Sequence, residues 1–322
     1  MKTTATGGTE EAPAAVAAGA PGTRAGIPRP ESHGGPAEPA GTRGPVRDGA
    51  RGGSGILRSG LSAMRLELRG YFRTPDTVFF TFLFPVLLLG IFGAAFDSSG
   101  DVGTLPDGTG GVSMSTYYLP GLVAAGILLS GVQNLAIDIA RERSEGWLRR
   151  LGGTPMSPVA YFIGKAGMTL VTALAQTALL IAFGVFVMGV ELPSEPALWL
   201  RFAWLFVLGI ATMTLLGVAL SAVPRSSRSA TAVVLPIVLV LQFISGVYLQ
   251  FTMLPEWLQN IAAAFPLKWL AQGMRSVFLP EHFAAMEPGG AWDLGLVVLV
   301  LAGWLVAGLV ASLLTFRWQR RS

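Results

Sequence analysis

Long apolar runs separated by short polar breaks set the layout of this chain. From Thr77 onward six stretches are almost free of charge, at about 77–96, 117–139, 164–190, 197–222, 230–248 and 291–316. Each reaches or approaches the roughly 20 residues that a helix needs to cross the hydrocarbon of a bilayer. A helix satisfies its backbone hydrogen bonds within the segment, which lipid demands. The pattern therefore predicts an all-α polytopic membrane protein with six transmembrane helices. The first span carries Phe79, Phe80, Phe82 and Phe84, with Pro85 placed to kink it.

The polar breaks carry their own patterns. Ahead of the first span, Leu57, Leu61, Met64, Leu68 and Tyr71 recur at spacings of three and four, while Arg58, Ser62, Arg65, Arg69 and Arg73 follow a neighbouring face. That periodicity predicts an amphipathic helix lying in the membrane interface. Pro75 disfavours helical geometry at Thr74 and ends it. Between the fifth and sixth spans, residues 249–290 are semi-apolar and interrupted by Pro255, Pro266 and Pro280. Such pieces are too short to span alone and predict an outer re-entrant helical pair before the last span.

The most polar break is Arg141–Pro158, RERSEGWLRRLGGTPMSP. Glu145 and Arg149 are four apart with the acid first, the favourable order on a helix. Trp147, Leu148 and Leu151 gather on one side of the turn. Gly152-Gly153 can end it, and Pro155 blocks continuation. The expected result is a short helix with an aromatic and aliphatic knob ringed by charge. Such a knob suits a protein contact, and it equally suits a loop whose tryptophan rests at the membrane surface. Spacing alone leaves both open.

Residues 1–55 are rich in Gly, Ala, Pro, Thr and Arg and hold almost no large apolar side chains. They cannot bury enough apolar area to order themselves and read as a disordered tail. They lack the central apolar run of a secretory signal. Over the whole chain 52% of residues are hydrophobic and 13% charged, with a mean hydropathy of +0.56, which excludes an ordinary water-soluble domain. There is no cysteine, hence no disulfide and no thiolate metal site. Arginines of the amino-terminal helix, of the 141–158 break, of the turn at Arg225 and Arg228, and of the tail at Arg317, Arg320 and Arg321 fall on one face. The opposite loops are mostly acidic, with Arg201, Lys268 and Arg275 as exceptions. By the positive-inside rule both termini and the 141–158 loop should be cytoplasmic, in a cell (inner or plasma) membrane. The net charge of +4 is spread over loops that meet lipid headgroups, and does not point to nucleic acid.

Several chemistries are missing. His33 and His282 are the only histidines, and there is no H-E-x-x-H pair, no G-x-S-x-G elbow and no G-x-x-x-x-G-K-[ST] loop. No catalytic, metal or cofactor-binding residue is expected, and the chain alone should not hydrolyse ATP. Asp138 falls at a membrane edge, Lys165 at a span end from which it can snorkel, and Arg201 near another end. Without a carboxylate near the midplane, a buried titratable group to carry ion coupling is not expected. The energy source then lies outside the chain. Gln133, Asn134, Gln176 and Gln242 are neutral polar residues within spans, suited to tying helices together or to facing a polar pathway.

Two stretches carry a resemblance. ARERSEGWLRRLGGTPMSPVAYFIGK resembles the cytoplasmic loop of type-2 ABC transporter permeases, through Glu142, Glu145-Gly146, Leu151 and Thr154-Pro155. SGVYLQFTMLPEWLQNIAAAFPLKWLAQGMRSVFL is similar to the outer signature of that family, through Ser245-Gly246, Leu254-Pro255, Trp257-Leu258-Gln259, Pro266 and Arg275. The resemblance covers about Ile56–Arg321, and within the family it is nearest to daunorubicin-resistance-like drug exporters. It implies a transporter of two permease copies and two ATP-binding subunits, embedded in membrane lipid. The loop helix would then be the coupling helix, with Glu142, Arg143, Glu145, Gly146, Trp147, Leu151 and Pro155 in the contact. Trp147 departs from the small or hydroxyl residue often found there. The interfacial helix, through Arg65 and Arg69, would be a second contact. The substrate path would run between the permeases beside the first, second and fifth spans, with Phe80, Phe84, Gln133, Asn134, Gln242 and Phe243 lining it. The implied activity is export of a lipophilic small molecule. A lipid-linked glycan is the alternative cargo, and an ion-coupled carrier the alternative from another class.

Overall fold

The computed structural model describes residues 53–96, 100–152 and 157–315. Most of the expected tail, and Arg317, Arg320 and Arg321, lie outside the described residues. The elements run α1 (Gly53–Tyr71), α2 (Pro75–Phe96), α3 (Met114–Leu128), a π-helical segment (Leu129–Asn134), α4 (Leu135–Ser144), α5 (Trp147–Gly152), α6 (Pro158–Phe186), α7 (Pro196–Leu220), α8 (Ser227–Ile244), α9 (Glu256–Ala263), α10 (Pro266–Phe278) and α11 (Leu294–Thr315). Among the described residues there is no strand; an isolated antiparallel bridge joins Val102 and Val112 in the α2–α3 loop.

Six helices are long and apolar enough to cross a membrane: α2, the α3–α4 rod Met114–Ser144, α6, α7, α8 and α11. The two boundaries beside the 141–158 break differ most from the sequence reading. The second span does not stop near Ile139. It runs on to Ser144, because nothing breaks the helix until Gly146, whose φ of 76° suits glycine alone at low cost. The third span begins at Pro158, where the Ser157 side chain caps the amide of Ala160 and proline occupies the first turn. Arg141–Ser144 therefore belong to a rigid rod and not to a loop.

The α3–π–α4 rod is the central helix, with every residue from Leu119 to Val132 buried. Helix α7 crosses it at a glycine contact so close that a Cβ on Gly217 would sit 2.1 Å from the Gly131 carbonyl oxygen. Packing of this kind replaces the hydrophobic drive that lipid does not supply. Helix α1 lies on the first half of α6 through small residues. A Cβ on Gly164 would meet that of Ala63 at 2.8 Å, and one on Gly60 would meet Ile163 at 2.6 Å. Leu57 and Leu61 stay exposed on its other edge, as suits a helix half in lipid.

At the far end α9 and α10 form the re-entrant pair. All of α10 is buried. Arg275 and Lys268, which the sequence places in an outer segment, are both inside it. Arg275 pairs with Glu287 at 2.5 Å and donates to the Gly246 carbonyl at 3.1 Å. Lys268 donates to Gln272 and lies 3.6 Å from the centre of the Trp269 ring, a cation–π contact. Arg201 donates to the Ser276 carbonyl at 2.8 Å.

Candidate functional site: a cavity with a charged wall

Four helical faces line a half-open cavity of about 1,630 Å³. On α8 the stripe is Thr231, Leu235, Leu239 and Gln242, one face of the helix along nearly its whole length. On α2 it is Thr77, Phe80, Thr81 and Phe84, and on the central rod it runs from Leu129 through Gln133, Asn134, Ile137 and Asp138 to Glu145. Helix α1 supplies the fourth wall, from Gly55 to Tyr71. Five of the six residues expected along a pathway, Phe80, Phe84, Gln133, Asn134 and Gln242, are brought together here. The sixth, Phe243, is not; it is half exposed and its ring packs against Tyr248 at 5.1 Å.

The π-helical segment sets the polar part of the wall. Its wider turn falls on Leu129–Asn134, and such bulges recur at functional positions. Asn134 donates to the Thr81 hydroxyl at 3.0 Å, tying the rod to α2. Ser130 donates to Gln176 at 3.3 Å, tying it to α6. Gln242 accepts from the Tyr248 hydroxyl.

Where α1, α4 and α6 meet, the wall becomes ionic. The Lys165 ammonium lies 2.9 Å from Glu67 of α1, 2.5 Å from Asp138 and 2.6 Å from Glu142 of α4. The Tyr161 hydroxyl donates to the other oxygen of Glu142 at 2.6 Å. The spacing explains the assembly: Asp138 and Glu142, like Tyr161 and Lys165, are one turn apart on their helices. Lys165 is only 1% exposed. The snorkelling lysine of the sequence reading is thus corrected, because α1 roofs it: Gly164 beside it lets α1 approach closely, and Glu67 on α1 gives the ammonium a nearer partner than water. The expectation that no titratable group is buried is corrected with it. Burial pushes the Glu67 carboxyl above its ordinary range, Lys165 opposes that, and the charges of Glu142 and Asp138 add to it. The three carboxylates offer oxygens within 4.8 Å of one another, a spacing that could suit a metal ion, but the Lys165 ammonium already sits among them.

The residues expected to form a coupling surface separate into distinct roles. Glu142 faces inward, to Lys165. Arg143 donates to the Pro224 carbonyl at 2.5 Å, fixing the rod to the α7–α8 turn. Glu145 pairs with Arg141 at 2.9 Å. Glu145 and Arg149, expected on one helix, are divided between the end of α4 and α5 by Gly146. Trp147 is half exposed at the start of α5, with the Arg150 guanidinium 6.0 Å from its ring centre. Pro155 and the Leu151 side chain lie outside the described residues. Arg65 and Arg69 are exposed along α1.

Sequence reasoning missed Glu67 and the meeting of Lys165 with Asp138 and Glu142. The available signal was Glu67 itself, an acid inside an arginine-lined amphipathic helix.

The comparisons with known proteins agree with this architecture. Residues 61–279 match the ABC-2 type transporter family. The chain is 26% identical over 248 residues to the ycf38 protein of Cyanophora paradoxa, named as a transport permease, covering 76% of this chain and 81% of that one. It is 23% identical over 187 residues to YbhR of Escherichia coli, named as a multidrug ABC transporter permease, covering 58% of this chain and 50% of YbhR. With its six apolar helices, this multi-pass membrane chain belongs to the ABC-2 type transporter family and is a permease subunit of an ABC transporter.

Proposed function

We propose that this permease exports a lipophilic small molecule, of the drug or antibiotic kind, with energy from a separate ATP-binding subunit. The observation that carries the reading is continuity. The rod that walls the cavity with the first and fifth spans ends at Ser144, and the exposed Trp147 knob opens α5 directly after the Glu145-Gly146 turn. An ATP-binding subunit seated on α5 would push on this rod, and the rod would carry the push to Gln133 and Asn134. Helix α1, through Arg65 and Arg69, is the second surface for that subunit. A second permease copy completes the path, either identical or related. The arginine-rich loops favour a cytoplasmic location for α1, α5 and both termini. The multidrug name of YbhR favours drug over glycan as cargo.

The test is ATP-dependent efflux from proteoliposomes holding this chain and the ATP-binding subunit that co-purifies with it. Replacing Glu145 and Trp147 together by Ala should abolish efflux while leaving expression and span topology intact. Unchanged efflux from that double variant would sink the coupling assignment. Efflux driven by a proton gradient with no ATP-binding subunit present would make the chain an ion-coupled carrier instead.

A further inference from the structure

We infer that the π-helical segment Leu129–Asn134 is a register switch: the rod has a second, all-α state in which its inner half is advanced by one residue against Lys165. The inference goes beyond the export reading, and only its trigger rests on that reading. The residues on both sides of the segment are ordinary αR helix, and no proline lies within it. A wide turn of this kind is rare, because it takes up one extra residue. Nothing local forces it here, so contacts from the other helices hold it. The outer half of the rod is clamped, since every residue from Leu119 to Val132 is buried and Gly131 packs on Gly217. The inner half has one open side, where Gln133, Asn134, Ile137 and Asp138 border the cavity. Any shift therefore falls on the inner half.

Helix geometry fixes what the shift does. Closing the wide turn to α geometry advances every residue beyond it by about 100° around the axis and about 1.5 Å along it, toward α5. Each place on the inner half then passes to the preceding residue. Gln133 takes the place of Asn134 beside Thr81, to which Asn134 donates in the present state. Ile137 takes the place of Asp138, and Arg141 that of Glu142. Lys165 would then face Glu67, Ile137 and Arg141 instead of three carboxylates. Glu142 would likewise replace Arg143 beside the Pro224 carbonyl, where a carboxylate has no proton to donate. The ionic cluster and the Arg143 contact are thus the latch that keeps the wide turn, and the α state is reached only with work from outside the chain. Helix α6 carries a provision for it. Ser130 donates to Oε1 of Gln176, while Nε2 of that buried amide makes no hydrogen bond. It is a donor held at the start of the segment for a carbonyl whose partner changes in the shift.

The experiment removes the extra residue. Deleting Val132 lets the rod run as continuous α-helix with Asp138 and Glu142 still opposite Lys165. Thermal unfolding of the full chain in detergent should then show Tm unchanged or raised. Inserting one alanine after Val132 cannot be absorbed in this way and should lower Tm by about 5 °C or more. The deletion also fixes the rod in one register, so ATP-driven efflux with the co-purifying ATP-binding subunit should be lost from a chain that is still stable. Since the chain has no cysteine, introduced pairs report the register directly. Thr81→Cys with Asn134→Cys should cross-link at rest. Thr81→Cys with Gln133→Cys should gain several-fold during ATP turnover, at the expense of the first pair. A deletion as costly as the insertion, efflux retained by the deletion variant, or cross-links indifferent to ATP would each overturn the inference. The two unfolding measurements need no ATP-binding subunit. If the parent chain shows no ATP-driven efflux, the permease reading fails while those measurements still decide what the wide turn is.

Discussion

Replacing Lys165 by Met is the sharpest test of how α1, α4 and α6 are held together. The change keeps most of the volume and removes the charge. It leaves Glu67, Asp138 and Glu142 with oxygens inside 4.8 Å of one another and no cation among them. At an effective dielectric near 20, two unit charges at about 5 Å repel by roughly 3 kcal/mol. Removing one partner of a fully buried ion pair costs about 3–5 kcal/mol. The carboxylates are between one-fifth and about one-third exposed, so solvent screens part of this, and about 2–4 kcal/mol is the expected loss. At roughly 2–4 °C per kcal/mol, that predicts a fall in Tm of about 5–15 °C, read by thermal unfolding of the full chain in detergent. The deficit should also depend on pH. Glu67 is already held above its ordinary carboxyl range. An acid raised in the folded state takes up protons more readily there than when unfolded, so stability is recovered as pH falls. The Met variant should therefore regain part of its loss at pH 5 relative to pH 8. Adding Glu67→Gln to the Met variant should restore several degrees at neutral pH. A Met variant as stable as the parent, or one with the same deficit at both pH values, would refute the reasoning.

Two further outcomes follow from packing and from the buried hairpin. Gly217→Ala would place its Cβ 2.1 Å from the Gly131 carbonyl oxygen, a clash with backbone that forces α7 away from the central rod at about 1–3 kcal/mol. Gly303→Ala on α11 meets nothing within 4 Å and should leave Tm unchanged or slightly raised; equal effects at the two sites would discredit the contact. Arg275→Met strands the Glu287 carboxylate, which is 6% exposed, and should cost about 3–5 kcal/mol in the same thermal assay. Adding Glu287→Leu should return most of that loss, and no recovery in the double variant would argue that the pair does not hold the hairpin.

The architecture was legible because lipid makes the spans obvious. A segment such as Leu294–Thr315 can do little else than cross a bilayer, and the prolines at 255, 266 and 280 fall where the re-entrant segment starts and breaks its helices. The boundary that went astray, at Ile139, did so for a physical reason. Charge was read as the end of a helix, whereas Asp138–Ser144 contains good helix formers and the backbone turns only at Gly146. Hydropathy marks where lipid contact stops and not where hydrogen bonding stops. The same error displaced Glu142, which reads as a surface residue of a loop and is a wall residue of a rod.

The cavity-lining Gln133, Asn134 and Gln242 stand out in the sequence as polar residues within apolar runs, which suits tying helices together or facing a polar pathway, whereas Phe80 and Phe84 on α2 carry no such mark. The ionic cluster was not recoverable in this way, and the reason lies in arithmetic over distance. Lys165 is 98 positions from Glu67 and 27 from Asp138, so no periodicity links them. Each looks affordable alone, because a lone lysine near a span end can reach water. Only the glycine contact at Gly164, which admits α1 against α6, closes that exit and makes three carboxylates the solution. Gly164→Leu, which forces α1 off α6, should therefore open Lys165 to water and lower the Tm of the full chain in detergent, since a Cβ there already meets that of Ala63 at 2.8 Å. A variant as stable as the parent would show that α1 does not close the exit.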